Sequence, residues 1–78
     1  ELPVIIIVKD ELGAISQALL TIDAVLSKKL KIAFVVLNEV RENTLSNLEA
    51  LRSYTDVPVL KFSIKNSELF YLEAEKLI

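Results

Sequence analysis

The apolar residues of this chain change their spacing several times, and each change predicts a new structural element. A continuous run over residues 4–8, V-I-I-I-V, is typical of a strand that is covered on both faces. From Ala14 to Lys29 the apolar residues recur at helical spacing instead. Gly13 lies between the two elements, where a sharp strand-to-helix reversal needs its conformational freedom. The predicted apolar face of this helix is formed by Ile15, Ala18, Leu19, Ile22, Val25 and Leu26.

The rest of the chain repeats this alternation twice. A second apolar strand is predicted over Lys31–Leu37, and a helix over Thr44–Tyr54, with Asn43 as its N-cap. A third strand is predicted over Val57–Phe62 and a last helix over Ser67–Leu77. Strands that alternate with helices in this order favour right-handed crossovers, so the predicted fold class is α/β with three parallel strands.

Length and composition suggest that such a sheet is incomplete. Three parallel strands leave two open apolar edges, an arrangement that proteins usually avoid. The chain has 78 residues, of which 53% are hydrophobic, and it does not begin with Met. A domain of this size buries only about 60% of the surface that it exposes when unfolded. We therefore expect the chain to be part of a larger protein with a larger parallel sheet.

Charge and residue types exclude several classes of function. The net charge of −2 gives no basic surface for nucleic acid or for an anionic membrane. Without cysteine or histidine the chain has no zinc thiolate site, no thiol nucleophile and no imidazole base. Neither a signal peptide nor a membrane span of roughly 20 apolar residues is present. These features predict a cytoplasmic location, with no membrane or nucleic-acid partner.

The most informative polar residue is Asn38, which directly follows the second strand. Ligands of open parallel sheets bind beyond the carboxyl ends of the strands. An amide offers an acceptor and two donors in one plane, a pattern that matches the edge of adenine. Asn is also a common turn residue that bonds its own backbone. On the residues alone the turn interpretation is favoured over the binding one.

Two other features at the same rim have a functional and an ordinary interpretation. The helix that starts after Leu12-Gly13 has free N–H groups at its first turn, which suit a carboxylate or phosphate, with the Ser16 hydroxyl close by. Every α/β protein has such helix starts, so an ordinary turn is the simpler interpretation. Glu39 and Glu42 could bind a cation, but solvated loop charge is the favoured interpretation. No phosphate-binding loop G-x-x-x-x-G-K-[ST] and no nucleophile–base pair is present, so no catalytic residue is assigned.

Several modest motifs occur in an order that resembles a known family. They are L-P-V-I-I-I-V, a turn with L-G, A-I-S-Q-A-L-L-T, K-I-A-F-V-V-L-N-E-V and V-P-V-L, over residues 2–60. Together they resemble the C-terminal half of dethiobiotin synthetase, a P-loop ATPase of biotin biosynthesis. The resemblance implies one α/β P-loop ATPase domain, of which residues 1–78 form the C-terminal portion. The N-terminal half, with the phosphate loop, is absent from the chain.

The resemblance also implies an activity for the parent protein. Dethiobiotin synthetases are ligases that use ATP and Mg²⁺ to close the ureido ring of dethiobiotin from 7,8-diaminononanoate and CO₂. They act as homodimers with the substrate at the subunit interface. Because the catalytic lysines and the Mg²⁺ ligands belong to the N-terminal half, the 78-residue piece alone is predicted to be inactive.

The family's binding residues map onto two groups of positions in this chain. The matches to the adenine site are Asn38, Glu39, Ile64, Lys65 and Asn66. The matches to the helix start that binds the substrate carboxylate across the dimer interface are Leu12, Gly13, Ala14 and Ser16.

The chain departs from the family in the loop after the last strand. The family commonly has a Gly after P-V-L and a Pro in the loop, where this chain has Lys61 and Ile64.

Two alternatives remain on the sequence. One is another P-loop ATPase of the same class, such as a cobyrinate amidase-type synthetase or a division-site ATPase. The other is a non-catalytic α/β interaction module whose exposed strands pair with a partner chain.

Overall fold

The computed structural model describes residues 2–78, which fold as three strands and three α-helices in strict alternation. The strands are β1 (Val4–Lys9), β2 (Ile32–Asn38) and β3 (Val59–Phe62). The helices are α1 (Ala14–Ser27), α2 (Asn47–Tyr54) and α3 (Ser67–Glu75), and a 3₁₀ turn, Ile64–Asn66, precedes α3. No helix within this range is long and apolar enough to cross a membrane.

The three strands form one parallel sheet in the order β1-β2-β3. Asn38, the last residue of the central strand, pairs with Lys9 on one side and Phe62 on the other. The predicted α/β class and the parallel sheet are confirmed. The register places the carboxyl ends of all three strands at the same rim.

The main core lies on the sheet face that α1 and α2 cover. Small residues of α1, Ala14 and Ala18, are fully buried and bring the helix close to the strands. Leu51 of α2 is also fully buried. Burying a side chain such as Leu51 stabilises the fold by roughly 1.5–3 kcal/mol. The sheet contributes Ile6, Val8, Val35, Leu37 and Val59, and α1 adds Ile22.

The opposite face is covered only in part. The helix α3 packs over β3 and β2, where Phe70 meets Phe62 edge to face at 5.2 Å between ring centroids. The same face of β1 has no cover, and its Ile5 and Ile7 are 45% and 68% exposed. The prediction that this strand is covered on both faces is therefore wrong for residues 2–78. An apolar groove of about 330 Å³ runs along this side, lined by Ile5, Ile7, Phe34, Val36, Asn38, Phe62 and Phe70.

The polar loop after β2 is longer than predicted. The helix α2 begins at Asn47 rather than at Thr44, and Asn43 is not its N-cap. Asn43 Oδ1 instead accepts a hydrogen bond from the Leu45 N–H at 3.0 Å, and its Nδ2 donates to the Asp10 carbonyl at 2.9 Å. The Asn43 side chain therefore fixes the loop against the end of β1 rather than starting a helix.

Other ends differ from the predictions by a few residues. The helix α1 ends at Ser27 rather than at Lys29. Lys29 has a left-handed φ of 61°, so the chain turns there and does not continue the helix. The strand β3 starts at Val59 rather than Val57, and α3 ends at Glu75 rather than at Leu77.

Candidate functional site

The candidate site is the rim where the three strands end. The Asp10 N–H donates to the Asn38 carbonyl at 2.9 Å, and the Glu39 N–H donates to the Phe62 carbonyl at 2.8 Å. These bonds extend the ladder by one residue, so the loops after β1, β2 and β3 leave the sheet at the same level. Such a rim is where open α/β sheets bind ligands.

Asn38 is half-buried at the centre of this rim. It borders both the apolar groove on the α3 side and a cleft of about 560 Å³ between the loops after β1 and β2. No side-chain hydrogen bond among residues 2–78 involves the Asn38 amide. Asn43, by contrast, bonds its own loop as turn residues do. The Asn38 amide is thus available to a ligand.

The turn before α1 has the shape that the sequence predicts. Gly13 has a φ of 89°, and it is followed directly by the first residue of the helix. Leu12 is exposed and lines the same cleft as Asn38, whereas the other predicted residues of both groups do not line it.

The donors of the first turn of α1 are not equivalent. Ala14 is buried and its N–H already donates to the Glu11 carbonyl at 3.0 Å, so it has no N–H to offer an anion. The next N–H groups, of Ile15 and Ser16, belong to the part of a helix that lacks intrahelical partners. Ser16 is exposed, and the first turn of α1 carries no acidic residue that would repel an anion.

The loop after β3 forms one wall of a smaller cleft. The 3₁₀ turn is fixed by Ser63, whose Oγ accepts from the Asn66 N–H at 3.2 Å. The cleft between this turn and the loop after β2 has a volume of about 120 Å³. It is lined by Glu39, Val40, Glu42, Ser63, Ile64 and Lys65. The structure thus brings Glu39, Ile64 and Lys65 together, whereas Asn38 and Asn66 are not among the residues of this cleft.

A polar cluster that the sequence analysis did not assign lies behind the rim, and Asp10 is its centre. The Asp10 side chain is 2% exposed, and its Oδ1 accepts from Asn47 Nδ2 at 2.8 Å. Asn47 Nδ2 also lies 3.1 Å from the Glu11 carbonyl, so the start of α2 is tied to the turn before α1. Every polar group of this buried carboxylate therefore has a partner.

Lys61 connects this cluster to the candidate binding residues. Its Nζ lies 3.1 Å from Glu39 Oε2 and 3.5 Å from Asp10 Oδ2. The hydrogen bond to Glu39 raises the pKa of Lys61 above its usual value, with a further contribution from Asp10, while partial burial acts in the opposite direction. The three charges join the ends of all three strands.

One sequence signal could have revealed this cluster. Residues two positions apart in a strand point to the same face of the sheet. Val8, Leu37 and Val59 belong to the core that α1 and α2 cover. The residues two positions further on, Asp10, Glu39 and Lys61, are therefore predicted to lie on that same face. Placing the three residues side by side also needs the strand order and register.

No group of three or more acidic residues within residues 2–78 is placed to hold a metal ion. The pair Glu39 and Glu42 does not form a cation site, because each carboxylate already contacts a lysine, Lys61 and Lys65 respectively.

Comparison with known proteins gives one family and several relatives. The model of a family described as "AAA domain" matches residues 1–68. The chain is 36% identical over its full length to the ATP-dependent dethiobiotin synthetase of Ruthia magnifica, and covers 37% of that protein. It is 40% identical over 76 residues, 97% of the chain, to the protein of the same name from Vesicomyosocius okutanii, and covers 35% of it. A third relative of that name, from Aromatoleum aromaticum, is 44% identical over 62 residues. This match includes 76% of the chain and covers 28% of the relative.

The chain spans about a third of the length of the first two curated relatives that it matches. No solved structure matches it. The resemblance that the motifs predict is confirmed by these relatives.

Proposed function

Since the chain belongs to this AAA domain family and resembles the dethiobiotin synthetases, we propose that it is the C-terminal part of an ATP-dependent dethiobiotin synthetase. The parent protein would close the ureido ring of dethiobiotin from 7,8-diaminononanoate, CO₂ and ATP. In this protein the rim would perform two binding tasks and none of the bond-making chemistry.

The first task is recognition of adenine by Asn38. The amide is unpaired among the described residues and half-buried at the centre of the rim, which is the observation that carries the proposal. Adenine offers a donor and an acceptor on one edge, and an amide matches both. Glu39, Ile64, Lys65 and Asn66 would contribute the loops that flank the base.

The second task is binding of the diaminononanoate carboxylate at the start of α1. Leu12 and Gly13 shape the approach, and the N–H groups near Ser16 would donate to the carboxylate. Ala14 would serve only as a packing residue, because its N–H is used within the turn. In the proposed homodimer this carboxylate would come from a substrate bound mainly by the partner subunit.

The phosphate chemistry is assigned to residues outside this chain. Phosphoryl transfer depends on groups that position the phosphates and neutralise their charge, and Mg²⁺ usually takes part in this. Residues 2–78 contain no acidic cluster suited to a metal. A Mg²⁺ ion bound elsewhere in the parent protein would supply charge neutralisation of the phosphates. We therefore expect residues 1–78 alone to catalyse neither ATP hydrolysis nor ring closure.

The role of Asn38 can be tested by calorimetric titration of ATP into the protein expressed from its complete open reading frame. We expect Asn38→Ala to weaken ATP binding by about tenfold or more, since a good bidentate contact to a base contributes about 1–3 kcal/mol of discrimination. Gln17→Ala, which removes an exposed amide from α1, is the matched control and should bind ATP as the wild type does. Equal ATP affinity of Asn38→Ala and the wild type would contradict the assignment.

A further inference from the structure

The turn between β1 and α1 is held in place by a side chain from α2. Asn47, the first residue of α2, is 7% exposed, and its amide nitrogen carries two N–H donors. This nitrogen lies 2.8 Å from Asp10 Oδ1 and 3.1 Å from the Glu11 carbonyl oxygen. Asn47 therefore uses both of its donors to fix two consecutive residues of the turn.

The Glu11 carbonyl also fixes the start of α1. It accepts the Ala14 N–H at 3.0 Å, and the N–H groups of Ile15 and Ser16 follow directly in the same helical turn. Glu11 and Leu12 are exposed, so side-chain packing does not hold this part of the turn. A displaced Glu11 carbonyl would therefore shift the backbone donors that the proposed function assigns to the substrate carboxylate.

Asp10 connects this support to the sheet. Its side chain is 2% exposed, and its N–H donates to the carbonyl of Asn38 at the end of β2 at 2.9 Å. A continuous series of hydrogen bonds thus leads from β2 through Asp10 and Asn47 to the Glu11 carbonyl. The position of the turn is therefore set by the central strand and by α2, as well as by its own backbone.

We propose that Asn47 is a positioning residue for the diaminononanoate carboxylate, because it holds the Glu11 carbonyl and, through it, the first-turn donors of α1. The inference rests on the proposed function, since it needs the carboxylate to bind at the start of α1. It goes beyond that function in giving a substrate-specific task to a residue of α2 that belongs to neither predicted group of binding residues. Asn47 is buried and acts through Glu11, so it does not itself touch the substrate.

The test is the steady-state rate of dethiobiotin formation by the protein from the complete open reading frame. In Asn47→Ala we expect the KM for diaminononanoate to rise by about tenfold or more, because small displacements of positioning groups can change rates by up to about a hundredfold. The KM for ATP and kcat should change by less than about twofold, since the carboxylate is remote from the reacting amines.

Two further variants separate positioning from stability. Leu51→Val removes packing from the core side of the same helix but keeps both Asn47 hydrogen bonds, so it should keep the wild-type KM values. The exchange Asn47→Asp/Asp10→Asn keeps a donor and an acceptor facing each other but leaves the Glu11 carbonyl without the α2 donor. It should raise the KM for diaminononanoate as Asn47→Ala does, and it provides the same readout if Asn47→Ala does not fold.

A substrate analogue without the carboxylate, 2,3-diaminooctane, tests whether the effect is specific to that group. Its inhibition constant should be the same in the wild type and in Asn47→Ala. An unchanged KM for diaminononanoate, an equal rise in the KM for ATP, an equal rise in Leu51→Val or an equal weakening of 2,3-diaminooctane would overturn the role of Asn47. A wild-type protein that forms no dethiobiotin would overturn the proposed function itself, and this outcome is distinct from the other four.

Discussion

At the scale of single residues, Asp10 holds the rim together. Its carboxylate is almost fully buried. Its N–H donates to the Asn38 carbonyl, and its own carbonyl accepts from the Asn43 side chain. Its carboxylate accepts a hydrogen bond from Asn47 and forms an ion pair with Lys61. Four other residues of the rim are therefore held by one residue, although Asp10 itself belongs to neither predicted group of binding residues.

We expect Asp10→Ala to lower the free energy of unfolding by about 1–3 kcal/mol, because the buried Asn47 amide loses one of its two acceptors and Lys61 loses one of its two carboxylate partners. Urea unfolding of the two proteins measures this difference. The matched control is Glu42→Ala, which removes an exposed ion pair and should change stability by less than about 0.5 kcal/mol. Equal effects of the two substitutions would show that the buried network contributes nothing.

The Lys61 ion pairs predict a dependence of stability on alkaline pH. The pKa of Lys61 is raised above 10.5, first by the hydrogen bond to Glu39, so the folded state holds this proton more tightly than the unfolded state does. The stabilisation is fully present below the unfolded pKa and is lost as the pH rises through the folded pKa. Urea midpoints of wild type and Lys61→Met, measured from about pH 9 to pH 12, should therefore converge at the alkaline end. A constant difference across this range would contradict the ion pairs.

At the scale of elements, the chain order of strands and helices could be predicted from the sequence, and most of their ends could not. The strand β1 is recognised by a short run of β-branched residues, and α1 by a longer stretch in which apolar residues recur at helical spacing. The predicted start of α2 at Thr44 is wrong because Asn43, a residue type that often caps helices, uses its side chain to bind Leu45 and Asp10 instead. The exposure of Ile7 cannot be predicted from the sequence, because an apolar run shows which residues a strand can bury and not which element covers them.

The candidate site was predictable in its location and only partly in its chemistry. Asn38 and Gly13 have local signals, a strand end and a turn, and the structure places them where those signals indicate. The link between Asp10, Glu39 and Lys61 depends on register between strands that are far apart in the sequence, and no local pattern encodes it.

The turn between β1 and α1 makes a prediction at this scale. Gly13 has a left-handed φ of 89° and open space where a Cβ would lie, so backbone strain rather than collision opposes substitution. We expect Gly13→Ala to reduce the free energy of unfolding by about 1–2 kcal/mol. Gly13→Asn should cost less, because Asn adopts left-handed conformations more readily. Thermal unfolding of both variants measures the order, and equal losses would contradict the strain argument.

At the scale of the whole molecule, the described residues bring the predicted binding groups to one rim of the sheet. The parallel sheet presents an unpaired amide and a helix start at one rim, while the apolar groove beside β1 is open. The interaction-module alternative would use that open face, whereas the synthetase proposal uses the rim. In the first case this chain would serve to bind a partner protein, and in the second it would serve to bind the ligands of an enzyme.

The most direct test is to measure dethiobiotin formed from 7,8-diaminononanoate, CO₂ and ATP. We expect the protein from the complete open reading frame to form dethiobiotin together with ADP, and residues 1–78 alone to form neither product. ATP hydrolysis by the complete protein without dethiobiotin would favour another ATPase of the same class. Turnover of ATP by the 78-residue chain alone would contradict the assignment of the phosphate chemistry to other parts of the protein.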